Sequence, residues 1–466
     1  MLKKLLSNSA VYGLAPYVPR IISIFILPIL TKYLTDVDYG IAGTISAYTL
    51  ALSALSTLGF NAILQVAFFK SPCQYKIFWR QIYGFLQFWM IIFAILQAVI
   101  LYYVIPEEAL DNRWIIIIVS NFNTVFFGPA AYLGPLYYQL AQKPIPIAIR
   151  TILSGVFTIL LNYVLVVYLD FGYMGWYVSG FLGGFLVNST YWYDLNYKLG
   201  IKPIYRFKIK TISGALKVSL PMIPHYYTYF LVNTSNRLVM DQTDMSIGKI
   251  GEYNFTQQFS SIVESAILAI EKAITPMCLN EIKNKNEIQS KRLIYIFISI
   301  TFSSTFIFAI WCKQIFALLV SNETLVNAYP LASFLALSLN YRPVYIGATN
   351  VYFYNAQTKS ILGITFVAGV IAILGNIIFV PLYGIWGAAA VTYISFLYQG
   401  YSGFYFKPFK QYSSVKYPVA KIFLVQILLT LISMLCLDIA IYLKIILTLA
   451  LIIALIAFIR KISKID

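Results

Sequence analysis

The chain has 466 residues, of which 60% are hydrophobic and 11% are charged, and its mean hydropathy is +0.77. Soluble domains carry roughly 25% charged and about 45–50% apolar residues, so this composition excludes a soluble enzyme. The 34 Lys and Arg residues outnumber the 17 Asp and Glu residues. Their distribution along the chain indicates membrane topology and no nucleic-acid partner.

Apolar segments with short polar breaks occupy almost the whole chain. A helical span needs ~20 apolar residues, whereas a β-barrel would show ~10-residue alternating segments. We therefore predict an all-α integral membrane protein with fourteen transmembrane helices. The predicted spans cover residues 9–34, 41–68, 78–104, 114–140, 147–169, 173–197, 214–240, 249–276, 293–320, 326–356, 360–382, 385–406, 417–437 and 440–459.

The charges in the breaks predict the orientation of these spans. Breaks after odd-numbered spans are acidic, for example at Glu107 and Glu108, whereas breaks after even-numbered spans and both ends of the chain are basic. Because Lys and Arg are enriched in cytoplasmic loops, both termini are predicted to be cytoplasmic. We expect a multi-pass protein of the cell inner (cytoplasmic) membrane that contacts membrane lipids.

Two stretches of the chain resemble each other. The prolines Pro16 and Pro19 are matched by Pro221 and Pro224, and further matches follow in order at a separation of roughly 205–215 residues. They pair Lys32 with Arg237, Asp36 with Asp241, Asp38-Tyr39 with Glu252-Tyr253, Pro129 with Pro343, Asn162 with Asn376, and Gly172 and Gly175 with Gly384 and Gly387.

The matches predict a duplicated architecture. Residues 1–205 and 206–408 are expected to form two pseudo-symmetric six-helix lobes, and residues 409–466 add two helices. Both copies enter the membrane from the same side, because six is an even number of spans. Two such bundles can rock against each other and open to one side or the other, which is alternating access.

Candidate substrate-binding residues are cationic. Arg20 and Arg342 lie near the middle of predicted spans, and the repeat places His225, the only histidine, at the position of Arg20. A central Arg costs at least ~2.5–3.5 kcal/mol on insertion scales, so these side chains are predicted to face a cavity. The alternative is that each is tied to carbonyls or to a buried acid such as Glu264 and holds helices together.

Lys32 and Arg237, at predicted outer helix ends, are also candidate substrate-binding cations. Their alternative interpretation is a pair of outer-end ion pairs with acids one helical turn away. Glu264 and Asp241 are candidates for coupling to H+ or Na+. Glu271 adjoins Lys272 and is expected to form a surface pair.

The four matched prolines are predicted hinges, since a proline inside a helix removes a hydrogen bond and clashes with the preceding turn. Kinks that serve packing alone are the alternative. The four cysteines show no metal-ligand spacing, and the chain has no phosphate-binding loop. We predict a monomeric protein with no metal, no cofactor and no enzymatic activity.

The first span and the region of spans 10 to 12 resemble a known family. The sequence NSAVYGLAPYVPRI at 8–21, then LPILTKYLT at 27–35 and DYGI at 38–41, is similar to the opening of Wzx-type polysaccharide flippases. These belong to the multidrug/oligosaccharidyl-lipid/polysaccharide exporter superfamily. The Ala-Gln pair that ends span 10 and the Gly-Ile-Trp-Gly that begins span 12 are also similar.

The resemblance implies two six-helix lobes plus two helices. It also implies movement of an undecaprenyl-diphosphate-linked oligosaccharide from the cytoplasmic to the periplasmic leaflet, for O-antigen, capsule or exopolysaccharide synthesis. The family's cavities are cationic, which suits Arg20 and Arg342, whereas His225 departs from the arginine of the first copy. Two alternatives are kept: a multidrug exporter of the same fold, which would need acids in its cavity, and a membrane polysaccharide polymerase or ligase.

Overall fold

The computed structural model describes residues 17–463 apart from Pro72 and Ala356. Regular secondary structure in this part of the chain is helical. The α-helices are α1 (Tyr17–Tyr33), α2 (Asp36–Ser56), α3 (Asn61–Lys70), α4 (Tyr75–Val104), α5 (Arg113–Leu140), α6 (Pro144–Val167), α7 (Met174–Tyr193), α8 (Ile209–Ser219), α9 (Ile223–Asn233), α10 (Ser235–Gln242), α11 (Ile247–Lys283), α12 (Glu287–Leu319), α13 (Glu323–Val326), α14 (Tyr329–Ser338), α15 (Tyr341–Tyr354), α16 (Thr358–Ser402), α17 (Lys407–Tyr412), α18 (Val419–Leu435) and α19 (Ile441–Ser463).

The segments predicted to span the membrane are helical. Within the described ranges, six helices are long and apolar enough to cross a bilayer, or seven if α1 and α2, whose axes differ by 118°, count as one span. The chain is therefore a multi-pass helical membrane protein. The number fourteen stays a prediction, because several predicted spans are divided into shorter helices.

Breaks between helices, inside predicted spans and between them, have backbone causes. Leu58 and Gly59 have φ of 49° and 69° between α2 and α3. The 3-10 turn Leu220–Met222 contains Pro221 and separates α8 from α9. Gly384, with φ 59° and ψ −138°, breaks α16 into two helices, at the boundary that the sequence predicts between spans 11 and 12. Each break sits at a residue that cannot continue a straight α-helix.

Two compact units divide the chain, Met1–Phe230 and Leu231–Asp466. The core of the first unit is built around Phe60 and Trp79, and the core of the second around Phe297 and Tyr352. The predicted lobe bounds of 205, 206 and 408 stay a prediction.

Close helix packing in the first unit depends on small residues. A Cβ on Gly155 of α6 would lie 2.3 Å from Cγ of Pro19, so the proline ring of α1 rests directly on the backbone of α6. A Cβ on Gly134 of α5 would lie 2.5 Å from Cδ1 of Tyr191 on α7. Such approaches are typical of helix interfaces in membranes, where small residues let backbones come together.

The matched residues of the two predicted copies share backbone and burial properties. Gly172 and Gly384 both have positive φ, 50° and 59°. Asn162 and Asn376 are both buried, with 6% and 1% of their surface exposed. In the first unit Asp38 accepts a hydrogen bond from the Tyr173 N–H at 2.8 Å, which fixes this turn. These features are shared by the matched positions, and the duplication stays a prediction.

Candidate functional site

The charged site in the second unit is centred on Arg342, near the start of α15. Its Nε donates to Oε2 of Glu271 at 2.5 Å and its Nη2 donates to Oε1 at 3.2 Å. Its Nη1 lies 3.4 Å from the Tyr341 hydroxyl. The side chains of Arg342 and Glu271 keep 20% and 17% of their surface exposed. The pair is bidentate, the geometry that Arg forms with carboxylates.

The helix start that carries Arg342 is held by buried polar and aromatic contacts. The Asn340 side chain accepts a hydrogen bond from the Thr305 hydroxyl at 2.7 Å. The ring of Tyr341 stacks on Phe396 with centroids 4.2 Å apart. Both contacts fix the backbone beside Arg342, so the guanidinium projects from a rigid element.

The Arg342 guanidinium keeps hydrogen-bonding capacity. Arg has five N–H donors, and three are used in the contacts that the described residues make with Glu271 and Tyr341. Two donors are left, together with partial solvent access. The Glu271 carboxylate occupies one edge of the planar guanidinium, and the N–H groups on the other edge can bind an anionic oxygen.

The sequence interpretation of Glu271 as a surface partner of Lys272 is wrong. Adjacent residues on a helix point in directions about 100° apart and do not face each other, and the carboxylate instead binds Arg342 across 71 residues of sequence. Glu264, named as the acid that could hold Arg342, lies two helical turns earlier on α11, half-buried. It is within electrostatic reach of Tyr341.

The other candidates of the second unit lie on α10. Arg237 is buried, with 8% of its surface exposed, and its Nη1 donates to Oδ1 of Asn254 at 2.9 Å. Asp241 is half-buried one turn further along the helix. The alternative interpretation places Arg237 at an outer helix end with its charge reaching toward water. The structure instead buries its guanidinium.

The first unit contains the remaining predicted residues. Arg20 and Lys32 are exposed on α1, and Pro19 is half-buried near its start. Pro221 lies in the 3-10 turn before α9. Pro16 lies outside the described residues, as do the side chains of His225 and Pro224, whose backbones belong to α9. The roles of Arg20 and Lys32 as substrate-binding cations, of His225 as a titratable group and of the four prolines as hinges stay predictions.

A second charged cluster, which sequence reasoning missed, lies in the first unit. Asp194, at the end of α7, is 3% exposed. It accepts hydrogen bonds from Arg150 of α6 and, at 2.6 Å, from the Tyr138 hydroxyl of α5. The ammonium of Lys198 lies 3.0 Å from its other oxygen. The one available signal was an acid in the last turn of the predicted span 173–197, directly before the basic run that begins at Lys198.

The arrangement of helices is shared with solved transporters. A lipid II flippase MurJ in an inward closed conformation aligns with a TM-score of 0.66 and 16% identity, covering 93% of this chain and 99% of that chain. An inward-facing multidrug resistance MATE family transporter of the MOP superfamily aligns with 0.63 and 14%, covering 87% and 96%. A variant of the Vibrio cholerae MATE transporter VcmN aligns with 0.53 and 12%, covering 88% and 96%. The fold is that of the MOP-superfamily transporters.

Residues 5–280 match the family described as polysaccharide biosynthesis protein. Since this match covers more than half of the sequence, the chain belongs to that family. No curated protein sequence matches it significantly. The resemblance found in the sequence is confirmed at the level of the polysaccharide biosynthesis family, and the fold agrees with that of MOP-superfamily transporters. The polymerase or ligase alternative is not supported.

Proposed function

We propose that this protein is a flippase that moves a polyprenyl-diphosphate-linked oligosaccharide from the cytoplasmic to the periplasmic leaflet by alternating access, for surface polysaccharide synthesis. Membership of a polysaccharide biosynthesis family and a fold shared with a lipid II flippase support the substrate class. The observation that carries the proposal is Arg342, oriented by Glu271, with two N–H donors that the described residues do not use.

The geometry of Arg342 supports recognition of a diphosphate. Two phosphates in a low-dielectric cleft need positive charge and hydrogen-bond donors close by. A guanidinium supplies both in a planar fork that matches phosphoryl oxygens, and it stays protonated at every accessible pH. We assign Arg342 to the diphosphate and Glu271 to the positioning of Arg342. The polyprenyl tail stays in lipid while the glycan passes through water.

The remaining predictions belong to the same proposal. Arg20, Lys32, Arg237 and His225 supply further positive charge along the route, and the prolines act as hinges. Fourteen spans, cytoplasmic termini, an inner-membrane location and a monomeric state complete it. Glu264 and Asp241 are proposed sites for a coupling H+ or Na+.

The proposal is tested in cells that lack the native gene. We compare wild-type, Arg342→Ala, Arg342→Lys and Arg20→Ala proteins for surface polysaccharide, with the amount of each protein in the membrane measured in parallel. Arg342→Lys keeps a cation beside Glu271 but loses the fork, so it separates phosphate recognition from charge balance. Arg292→Ala, in a basic break, is the matched control.

Normal polysaccharide with the Arg342 variants at normal protein levels contradicts the proposal. The second candidate function, a multidrug exporter, is favoured only by the fold shared with MATE transporters. A deletion strain that becomes drug-sensitive while its surface polysaccharide is unchanged supports that second candidate.

A further inference from the structure

The segment that follows α7 has an unusual charge pattern. Residues 195–240 contain no Asp or Glu, and six cations fall within 198–217. They are Lys198, Lys202, Arg206, Lys208, Lys210 and Lys217. Such a run of uncompensated positive charge, next to a membrane, attracts anionic lipid.

Residues 199–208, which we call the basic strap, are fastened along α4. The Ile204 N–H donates to the Arg80 carbonyl at 2.9 Å. Nε of Arg80 donates to the Lys202 carbonyl at 2.9 Å. The Lys208 N–H donates to Oε1 of Gln81 at 3.1 Å. Three backbone anchors within one and a half turns of α4 hold the strap in place.

The strap also requires a glycine and an aromatic cluster. A Cβ on Gly84 would lie 2.0 Å from the carbonyl oxygen of Ile204, so the strap approaches α4 at a position open to glycine alone. Phe207 of the strap lies edge-on to Phe85 and Phe88, with centroids 5.7 and 6.1 Å apart. The cations of the strap are therefore displayed from a fixed backbone.

The helix α8, directly after the strap, is amphipathic, and its outer face carries apolar side chains as well as lysine. Its inner face buries Ile212 and Ala215, with 4% and 2% exposed. Its outer face combines the exposed Lys217 with Ile209 and Val218, which are 79% and 55% exposed. Exposed apolar side chains beside lysines are typical of a surface that meets both acyl chains and headgroups.

A groove of about 630 Å³ lies between α8 and α4 and belongs wholly to the first unit. Its lining is apolar except for Ser213 and Lys217. Lys210 is seven residues before Lys217 and therefore on the same face of α8, about 10 Å away along the helix. The groove thus has the volume and polarity for one hydrocarbon chain, with Lys217 in its lining and Lys210 two turns away on the same face of α8.

We propose that this groove binds an anionic phospholipid, with one acyl chain between α8 and α4 and the phosphate on Lys210 and Lys217. The charge favours an anionic over a zwitterionic headgroup, and the apolar lining favours a lipid over free phosphate. The site anchors α8, which lies just before the Pro221 turn. This inference depends on the protein lying in a membrane and not on the proposed flippase activity.

The test uses the full-length protein in nanodiscs of phosphatidylcholine with increasing phosphatidylglycerol. We measure bound phosphatidylglycerol by native mass spectrometry and the thermal midpoint Tm. Phosphatidylglycerol is expected to raise the Tm of the wild type. Lys210→Gln with Lys217→Gln, both at exposed positions, should weaken lipid binding about 25-fold, since each lysine contributes about 5-fold near an anionic surface.

Two matched variants make the result specific. Lys283→Gln with Lys285→Gln removes the same charge from an exposed basic break of the second unit and should leave binding unchanged. Leu216→Trp fills the groove without changing charge and should displace the lipid. Equal binding by the wild type and the Lys210/Lys217 variant overturns the proposal. Protection by glycerol phosphate alone, or preference for a polyprenyl phosphate over phosphatidylglycerol, also overturns it.

Discussion

Each unit contains an arginine–carboxylate pair between helices, and the two pairs differ in how completely they are closed. In the first unit, Asp194 has Tyr138, Arg150 and Lys198 as partners. Arg150 donates further to Thr190 at 2.8 Å, and its face lies over an aromatic ring. In the second unit, Arg342 and Glu271 bind each other with Tyr341 as a third member.

The difference separates a structural pair from a candidate binding pair. The Asp194 carboxylate, 4% exposed, has three partners and holds α5, α6 and α7 together, and two tyrosine rings cover the face of the Arg150 guanidinium. Glu271 is more open, with 17% of its side chain exposed, and two N–H donors of Arg342 are unused by the described residues, so the guanidinium can bind an anion while Glu271 supports it. Charge alone does not make the distinction, since both pairs consist of one Arg and one acid.

The largest expected effect is structural and concerns Arg150. Arg150→Ala removes the guanidinium from the buried Asp194 carboxylate and leaves it Lys198 and Tyr138, so the cost should approach but not exceed the about 3–5 kcal/mol of an uncompensated buried charge. We expect the protein to be largely lost from the membrane, as measured by fluorescence-detected size exclusion and Tm. Replacing both residues, Arg150→Met with Asp194→Leu, should recover much of the lost stability. A stable Arg150→Ala protein contradicts the structural role.

Arg342→Lys should weaken binding and leave stability unchanged, in contrast to Arg150→Ala. Protein amount and Tm should stay near wild type, because the ammonium still faces Glu271. Headgroup binding should weaken about 10- to 100-fold, the result of losing one charge-assisted hydrogen bond. Binding of a soluble diphosphate-sugar analogue to detergent-purified protein measures this, with Arg292→Lys as the control.

The sequence predicts the helical segments well and the charge partners poorly. Apolar length is a local property, so the predicted spans 78–104 and 114–140 end within a few residues of α4 and α5. The partner of Arg342 is not local, since Glu271 lies 71 residues away, and its neighbour Lys272 suggested a pairing that helix geometry forbids. The break at Leu58 and Gly59 was also missed, because one glycine in an apolar run gives no clear signal.

The predicted repeat was inferred partly from backbone requirements, which leave a mark on the sequence. Gly172 and Gly384 both occupy positive φ, a conformation that favours glycine over other residues. The match of single cations was less informative: Lys32 is exposed and Arg237 is buried, although their sequence positions correspond.

Gly384→Ala tests the backbone requirement at the break of α16. Its φ of 59° and ψ of −138° lie outside the regions open to residues with a side chain, so alanine should cost about 1–3 kcal/mol. Gly363→Ala on the same helix, where an added Cβ meets nothing within 4 Å, should be neutral or stabilise by about 0.5–1 kcal/mol. Thermal unfolding in one detergent compares the two, and equal Tm values contradict the assigned strain.

The smallest effect is expected at the exposed pair of Asp438 and Lys313. Hydrogen bonds from Lys313 and Tyr329 hold the pKa of the Asp438 carboxyl below its usual value. Any stabilisation from the ionised Asp438 carboxyl is therefore fully present above the pKa that this group has in the unfolded chain. It is lost as pH falls through the lower pKa of the folded protein. Asp438→Asn should leave Tm unchanged at neutral pH, because the carboxyl side chain is 61% exposed and exposed pairs contribute little.

The most direct measurement of the central claim is lipid movement in a purified system. Wild-type and Arg342→Lys proteins are reconstituted into liposomes at equal density with a fluorescent polyprenyl-diphosphate oligosaccharide, and its appearance in the opposite leaflet is timed by quenching. We predict movement with the wild type and at least about tenfold slower movement with the variant. Equal rates for the two proteins, or no movement above that of empty liposomes with the wild type, contradict the account.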